Sequence, residues 1–140
     1  MGVFLAQKLA KSPLTIVGDG SQTRDFTYVS DVVSAIFTSM MSNMPGFSFY
    51  NVGSGTTVSI NEIARIIGGA TVNIPKRPGE PNCTFADISK ICDELSWSPK
   101  VGIEQGMRLI MSDLSFWKDA PIWDVKSIES ATKDWFKLLG

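Results

Sequence analysis

The sequence predicts a single α/β domain in which helices alternate with short strands. Two short segments rich in apolar and β-branched residues, 14–17 and 71–74, each follow a segment whose apolar residues have helical spacing. A chain of 140 residues is long enough to bury one hydrophobic core. No internal repeat, low-complexity tract or flexible linker divides it, so residues 1–140 are predicted to form one domain.

The first quarter of the chain predicts a helix, a strand and a turn. The helix, residues 3–11, leads through Pro13 into the strand 14–17. Gly18-Asp19-Gly20 forms the turn, and residues 26–29 are expected to be extended because they are aromatic or β-branched at most positions.

Ser30 is the expected N-cap of a second helix, which Pro45-Gly46 would close. Apolar side chains recur on one face of this helix, and methionines in such positions are predicted to lie in the core. The apolar positions are Val32, Val33, Ile36, Phe37, Met40 and Met41.

A strand is expected at residues 47–52, followed by a helix with a clear start. Ser59 and Glu62 have the spacing of a capping box, in which each side chain satisfies a free backbone N–H. Gly68-Gly69 would end this helix.

The last part of the chain predicts a proline-rich loop and three helices. Residues 75–81 contain three prolines and cannot be regular structure. Asp87 is the expected cap of a short helix that extends to Leu95. Apolar spacing then predicts one long helix over 103–117 and a final helix that uses Ile128, Ala131, Trp135 and Leu138.

Composition excludes several functions. Thirteen Lys and Arg residues against 14 Asp and Glu give a net charge of −1, which does not favour nucleic-acid binding. The absence of histidine excludes a serine-histidine triad and disfavours zinc catalysis, so no metal site is predicted. Cys83 and Cys92 lack C-x-x-C spacing, and no signal peptide or membrane span is apparent; we expect reduced thiols and a cytoplasmic location.

Two arginines stand out because turns precede or follow them closely. Arg24 follows the turn at Gly18-Asp19-Gly20, and Arg77 opens the segment Arg-Pro-Gly-Glu that ends at Glu80. A guanidinium can donate two parallel hydrogen bonds to phosphate oxygens. The alternative for Arg24 is a surface ion pair with Asp19 or Asp25, and for Arg77 and Glu80 it is a solvated charged loop.

Three segments, in this order, resemble the C-terminal portion of the NAD-dependent nucleotide-sugar epimerases and dehydratases. This extended short-chain dehydrogenase/reductase family includes UDP-glucose 4-epimerase. The segments are GDGSQTRDFTYVSDVVSAI, then FYNVGSG with SINEIARIIGG, then KRPGEPNCTFADISK with ELSWSPKVGIEQG. The resemblance implies the α+β substrate-binding domain of that family, without its Rossmann half.

Two hallmarks of the family are missing. Neither Gly18-Asp19-Gly20 nor Gly53-Ser54-Gly55 has the third glycine of the dinucleotide fingerprint. Neither Tyr28 nor Tyr50 is followed by a lysine four residues later, as the family's catalytic pair requires. We therefore expect no NAD binding and no catalytic residue in this chain, although NAD serves the full-length family.

The resemblance assigns Arg24 and Arg77 to the substrate diphosphate and Glu80 to the ribose hydroxyls. It implies a UDP- or dTDP-sugar as ligand. Asp25, Asp31 and Asp87 are expected to be structural. Two functions remain open: the binding portion of a 4-epimerase or dehydratase, or a stand-alone module that binds a nucleotide or itself. Self-association into a homodimer or larger assembly is expected because loss of the Rossmann half would expose an edge and apolar surface.

Overall fold

The computed structural model describes residues 1–43 and 46–139 as six α-helices, one 3₁₀ helix and five short strands, consistent with the predicted α/β class. The α-helices are α1 (Gly2–Leu9), α2 (Val29–Met41), α3 (Ile60–Ile67), α4 (Ser89–Leu95), α5 (Ile103–Ser112) and α6 (Val125–Leu139); the 3₁₀ helix is Leu114–Trp117. The strands are β1 (Leu14–Val17), β2 (Thr23–Arg24), β3 (Val58–Ser59), β4 (Thr71–Ile74) and β5 (Cys83–Thr84).

The strands form two small sheets. β1 and β4 pair in parallel, with Leu14 opposite Thr71 and Val17 opposite Ile74. In the other sheet β2 is the central strand, antiparallel to β3 and parallel to β5. Arg24 is therefore held on both sides by backbone pairing, which fixes where its side chain leaves the sheet.

The main core lies between α1, β1, α3 and α5. Its buried members are Leu5, Leu14, Ile16, Ile63, Ala64, Ile67 and Met107. In α3 the apolar residues recur at helical spacing, so one face of the helix is buried and the opposite face, which carries the polar residues, is exposed to solvent. A second, smaller cluster joins α2 to α4 through Ala35, Ile91 and Trp97.

Gln7 is a buried polar residue that ties the C-terminal segment to the core. Its side-chain nitrogen donates to Thr15 Oγ1 at 2.9 Å and to the carbonyl oxygen of Trp123, and its oxygen accepts from the Thr15 backbone N–H. Because all three groups are satisfied, burial of this amide carries no unpaired donor or acceptor. The contact fixes the chain just before α6.

Some local helix signals are confirmed, and two are wrong in part: the N-cap of α4 is Ile88 and not Asp87, and only the Ser59 half of the predicted capping box forms. Ser59 Oγ accepts from the Glu62 backbone N–H at 3.1 Å, while the Glu62 carboxylate pairs with Arg65 instead of reaching back to Ser59. Gly68 follows α3 with a positive φ of 69°, as a C-terminal glycine does. Asp87 accepts from the hydroxyl and the backbone N–H of Ser89 at the start of α4, and these hydrogen bonds lower the pKa of Asp87.

The segment around residues 26–30 differs from the prediction. The strand comprises Thr23–Arg24, and α2 begins at Val29 after Tyr28, so Ser30 lies inside the helix and is not its N-cap. The β propensity of residues 26–29 favoured a strand there, but the backbone pairs with β3 and β5 at Thr23 and Arg24. The described part of α2 ends at Met41; Pro45, predicted to close it, lies outside the described residues.

The predicted strand at residues 47–52 is not formed. These residues are irregular, and Tyr50 and Val52 pack on the cluster around Trp97, with the Tyr50 hydroxyl donating to Glu94 at 2.8 Å. A strand requires a neighbour to accept and donate its backbone hydrogen bonds. No described strand pairs with this segment, so its aromatic content alone does not produce one.

The long helix predicted over 103–117 is interrupted. α5 ends at Ser112, and Asp113 accepts a hydrogen bond from the Ser115 backbone N–H and starts a 3₁₀ turn. Asp favours this local capping over a helix interior. Cys83 and Cys92 are both free, as expected. Over residues 1–43 and 46–139, no helix combines the length and the hydrophobicity needed to cross a membrane.

Candidate nucleotide-sugar site

A cavity of about 630 Å³ lies beside β1 and β2, under α6. Its size is in the range of ligand sites for small molecules and cofactors. One end is polar and contains Gln22, Arg24, Arg77 and Glu80; the remaining wall is mainly apolar and aromatic. The apolar and aromatic lining comprises Met1, Val3, Phe4, Val17, Phe26, Ile60, Ile63, Ile74, Trp123, Ile128, Ala131 and Trp135.

The three predicted site residues come together at the polar end. Arg24 Nη2 lies 3.5 Å from Glu80 Oε1, and Arg77 Nη1 lies 4.0 Å from the same oxygen. Their side chains are between 20% and 28% exposed. Two guanidinium groups and one carboxylate therefore leave a net charge of +1 at the end of an otherwise apolar cavity, which suits an anionic ligand.

Arg24 does not form the surface pair that was its alternative interpretation. Asp25 instead accepts from the Ser54 backbone N–H at 2.7 Å and from the Ala86 backbone N–H at 3.4 Å. Asp19 accepts from Ser21. Both aspartates are thus structural, and the carboxylate that faces Arg24 is that of Glu80.

A tight turn places Arg77 and Glu80 on the same side. Arg77-Pro78-Gly79-Glu80 closes through a hydrogen bond from the Glu80 backbone N–H to the Arg77 carbonyl oxygen, at 3.4 Å. Gly79 has φ of 73°, and proline followed by a glycine with positive φ is typical of a type II turn. Pro78 and Gly79 thus bring the side chains of Arg77 and Glu80 to the same side of the loop.

Trp135 lies at the site, although its helical spacing predicted only a position on the packed face of the last helix. Its indole Nε1 donates to the Pro78 carbonyl oxygen at 2.8 Å, and Arg77 Cζ lies 5.9 Å from the ring centroid. α6 therefore holds the turn that carries Arg77. Trp123 also lines the cavity. No sequence signal marks Trp135, since only the fold brings α6 to residue 78.

One glycine in each of the two glycine turns is explained by close packing. A Cβ on Gly53 would lie 2.5 Å from Asp25 Oδ2 and 2.6 Å from Ala86 Cβ, so the chain itself fills the space. Gly20, with φ of 75°, faces Asn61 and Ile16 in the same way. A dinucleotide fingerprint instead needs open space beside its glycines and a helix that starts there. Within the described ranges, neither turn provides this.

The sequence is similar to that of NAD-dependent epimerases and related nucleotide-sugar enzymes. The NAD dependent epimerase/dehydratase family matches residues 2–53. UDP-glucuronic acid decarboxylase 1 of Arabidopsis thaliana is 34% identical over 114 residues, which cover 79% of this chain and 26% of the relative. UDP-glucuronate 4-epimerase of Thermodesulfobacterium geofontis is 32% identical over 133 residues, which cover 90% of this chain and 39% of the relative.

The chain is a relative of the NAD-dependent epimerases and dehydratases.

Solved structures of this family have the same fold over most of the chain. UDP-glucose 4-epimerase of Thermotoga maritima, solved with UDP-glucose, superposes with a TM-score of 0.72 at 28% identity over 79% of this chain and 37% of that protein. UDP-glucuronic acid 4-epimerase of Bacillus cereus, in complex with UDP-glucuronic acid and NAD, gives 0.74 at 30% identity over 86% and 40%. The chain thus spans about a quarter to two-fifths of the length of these relatives, and NAD is the cofactor of the family.

Proposed function

We propose that this chain is the nucleotide-sugar-binding portion of an NAD-dependent epimerase or dehydratase, and that it holds a UDP-sugar in the cavity under α6. The observation that carries the proposal is the convergence of Arg24 and Arg77 on one carboxylate at the polar end of that cavity. Relatives solved with UDP-glucose or UDP-glucuronic acid support a UDP-sugar over other nucleotide sugars.

The diphosphate would lie between the two guanidinium groups. The separations of 3.5 Å and 4.0 Å from Glu80 are long for charge-assisted hydrogen bonds, which are normally 2.7–2.9 Å, so both arginines retain donors for a stronger acceptor. The aromatic and aliphatic wall would cover the base and the sugar. Calorimetric titration with UDP and with uridine tests this: UDP should bind, and uridine should bind at least about tenfold more weakly because it lacks the diphosphate.

The role of this chain in the reaction would be binding and orientation. Its two glycine turns lack the third glycine of the dinucleotide fingerprint, and neither tyrosine is followed by the lysine of the family's catalytic pair. We therefore propose that the isolated chain does not interconvert UDP-sugars. An assay with UDP-glucose and NAD should give no product under conditions where UDP binds.

Substitution of Glu80 is expected to affect phosphate binding and ribose binding differently. In Glu80→Gln, loss of the negative charge should strengthen binding of inorganic pyrophosphate or leave it unchanged, because the carboxylate competes with the anion for both arginines. Binding of UDP should weaken about fivefold to tenfold, because an amide is a poorer acceptor for the ribose hydroxyls. Calorimetry with both ligands measures the two effects; tighter UDP binding in this variant would refute the ribose role.

Trp135 is expected to position Arg77. Trp135→Ala should weaken UDP binding about threefold to tenfold while uridine binding changes less, because the variant removes the ring beside the guanidinium and the hydrogen bond to Pro78. Trp135→Phe keeps a ring and loses the donor, so it should restore part of the affinity. Equal losses for UDP and uridine would point to a contact with the base instead of an effect through Arg77.

A stand-alone, self-associating module is the second candidate function. A large apolar surface on α2 favours it, and the two candidates are compatible, since no α2 residue lines the cavity. A homodimer is part of this second proposal. The prediction that Met40 and Met41 lie in a core is wrong, since each is 74% exposed.

A further inference from the structure

The helix α6 forms one side of the cavity. Ile128, Ala131, Thr132 and Trp135 line the cavity at positions i, i+3, i+4 and i+7, which is the spacing of a single helix face. The other sides are built by residues of α1, β1, β2, α3 and β4. If α6 moved away, the cavity would open along its whole side, so the position of α6 decides whether the cavity is covered.

Few buried contacts hold α6 in this position. Of its fifteen residues, all of which the structure describes, Ile128 alone is buried, whereas α3 buries three of its eight residues. Trp135 is 43% exposed. Elements with few buried apolar contacts open at a lower free-energy cost than the core of a protein. We therefore expect α6 to detach from the cavity while α3 stays folded.

The N-terminal end of α6 is tied to the core. The carbonyl oxygen of Trp123 accepts a hydrogen bond from the buried side chain of Gln7. Asp124 and Ser127 then cap each other: the Ser127 backbone N–H donates to Asp124 Oδ1 at 2.7 Å, and the Asp124 backbone N–H donates to Ser127 Oγ at 2.9 Å. The first turn of α6 is thereby fixed, so a movement of the helix would turn about Trp123 and Asp124.

The C-terminal half of α6 is held by a contact at the surface. Trp135 Nε1 donates to the Pro78 carbonyl oxygen at 2.8 Å, and the Trp135 ring lies beside the Arg77 guanidinium. Water competes for an exposed hydrogen bond, so this contact contributes little by itself and breaks readily. It joins α6 directly to the turn that carries Arg77.

We propose that α6 is a lid over the cavity, with its hinge at Trp123 and Asp124 and its latch at Trp135, and that a diphosphate bound by Arg77 holds the lid closed. The second half of this inference rests on the proposed function, which supplies the diphosphate. The first half concerns the chain without ligand and is independent of it.

The turn at residues 77–80 couples the ligand to the lid. A diphosphate held by Arg77 would order this turn, and the next residue, Pro78, carries the carbonyl oxygen that accepts from Trp135. A nucleotide in the cavity would also bury the apolar side chains on the inner face of α6. The ligand therefore binds the closed state better than the open one, and a closed lid in turn favours the ligand.

Hydrogen exchange of the full chain without ligand tests the lid. The backbone amides of residues 129–136, away from both ends of α6, should have protection factors at least about tenfold lower than those of α3. Low concentrations of guanidinium chloride should speed exchange in α3 and leave exchange in α6 unchanged, because detachment of α6 exposes little surface. Equal protection of the two helices, with equal denaturant dependence, would overturn the lid.

The latch is tested by Trp135→Ala, which should speed exchange in α6 at least about fivefold without ligand, because it removes the hydrogen bond to Pro78 and the contact with Arg77. The matched control is Leu138→Ala, on the same helix at a residue that is 77% exposed and does not line the cavity. It should change exchange in α6 less than about twofold. Equal effects of the two substitutions would refute the latch.

Saturating UDP tests the coupling. It should slow exchange in α6 of the wild-type chain at least about tenfold, and the slowing should be smaller in Trp135→Ala. If calorimetry shows that UDP is bound while exchange in α6 stays the same, the coupling is wrong. If UDP does not bind, the proposed function fails and the coupling fails with it, whereas the exchange measured without ligand still decides whether α6 is a lid.

Discussion

Replacement of both cavity arginines, in an Arg24→Ala, Arg77→Ala variant, is expected to weaken UDP binding at least about a hundredfold. A hydrogen bond to a charged group contributes about 1.5–3 kcal/mol, and each 1.4 kcal/mol changes a dissociation constant about tenfold. The variant would also leave the Glu80 carboxylate facing the diphosphate with no cation between them. Calorimetric titration at low salt measures the change, because salt screens the interaction.

The matched control for this variant is Arg65→Ala, Arg108→Ala. It removes the same two charges, but these arginines pair with Glu62 and Glu104 on exposed helix surfaces and do not line the cavity. UDP affinity should change less than about threefold, through the loss of long-range attraction alone. If both double variants lost affinity equally, net charge and not the geometry of the cavity would explain binding.

The largest expected loss of stability comes from Ile63→Ala. Ile63 is 1% exposed, belongs to the main core and also lines the cavity. Truncation of a buried isoleucine to alanine lowers the free energy of unfolding by about 2–5 kcal/mol, through lost burial and the cavity that remains. Chemical denaturation followed by circular dichroism measures this difference.

Ile122→Ala makes the same chemical change at a residue that is 54% exposed. Its free energy of unfolding should stay within about 0.5 kcal/mol of wild type, as is usual for surface substitutions. Similar losses in the two variants would show that the core is not where the structure places it.

Local chemistry made part of the fold predictable. The Ser59 hydroxyl caps α3, and the Arg77-Pro78-Gly79-Glu80 turn forms, because each needs only residues within a few positions of one another. The strands at 14–17 and 71–74 were likewise found from their composition. These features are encoded where they occur, so a single sequence suffices to predict them.

The failures concern features that depend on distant residues. The segment 47–52 has the composition of a strand but no partner, and β2 lies where its neighbours pair with it. The apolar spacing of α2 correctly gives a helix, but it cannot tell which face the rest of the chain covers. For the same reason the position of Trp135 beside Arg77 follows only from the fold.

The candidate site was predicted by resemblance more than by physics. Turns singled out Arg24, Arg77 and Glu80, but 52 residues separate the two arginines in the sequence, so the sequence alone does not show that they are close in space. The sheet brings the two arginines together. β2 carries Arg24 and pairs with β5, which follows the loop that contains Arg77 and Glu80.

A crystal structure of this chain with UDP tests the central claim most directly. We expect the diphosphate at the polar end of the cavity, with oxygens within about 3.2 Å of the guanidinium nitrogens of both Arg24 and Arg77, and with Glu80 turned towards the ribose. A diphosphate bound elsewhere, or one that contacts neither arginine while both still face Glu80, would contradict the account.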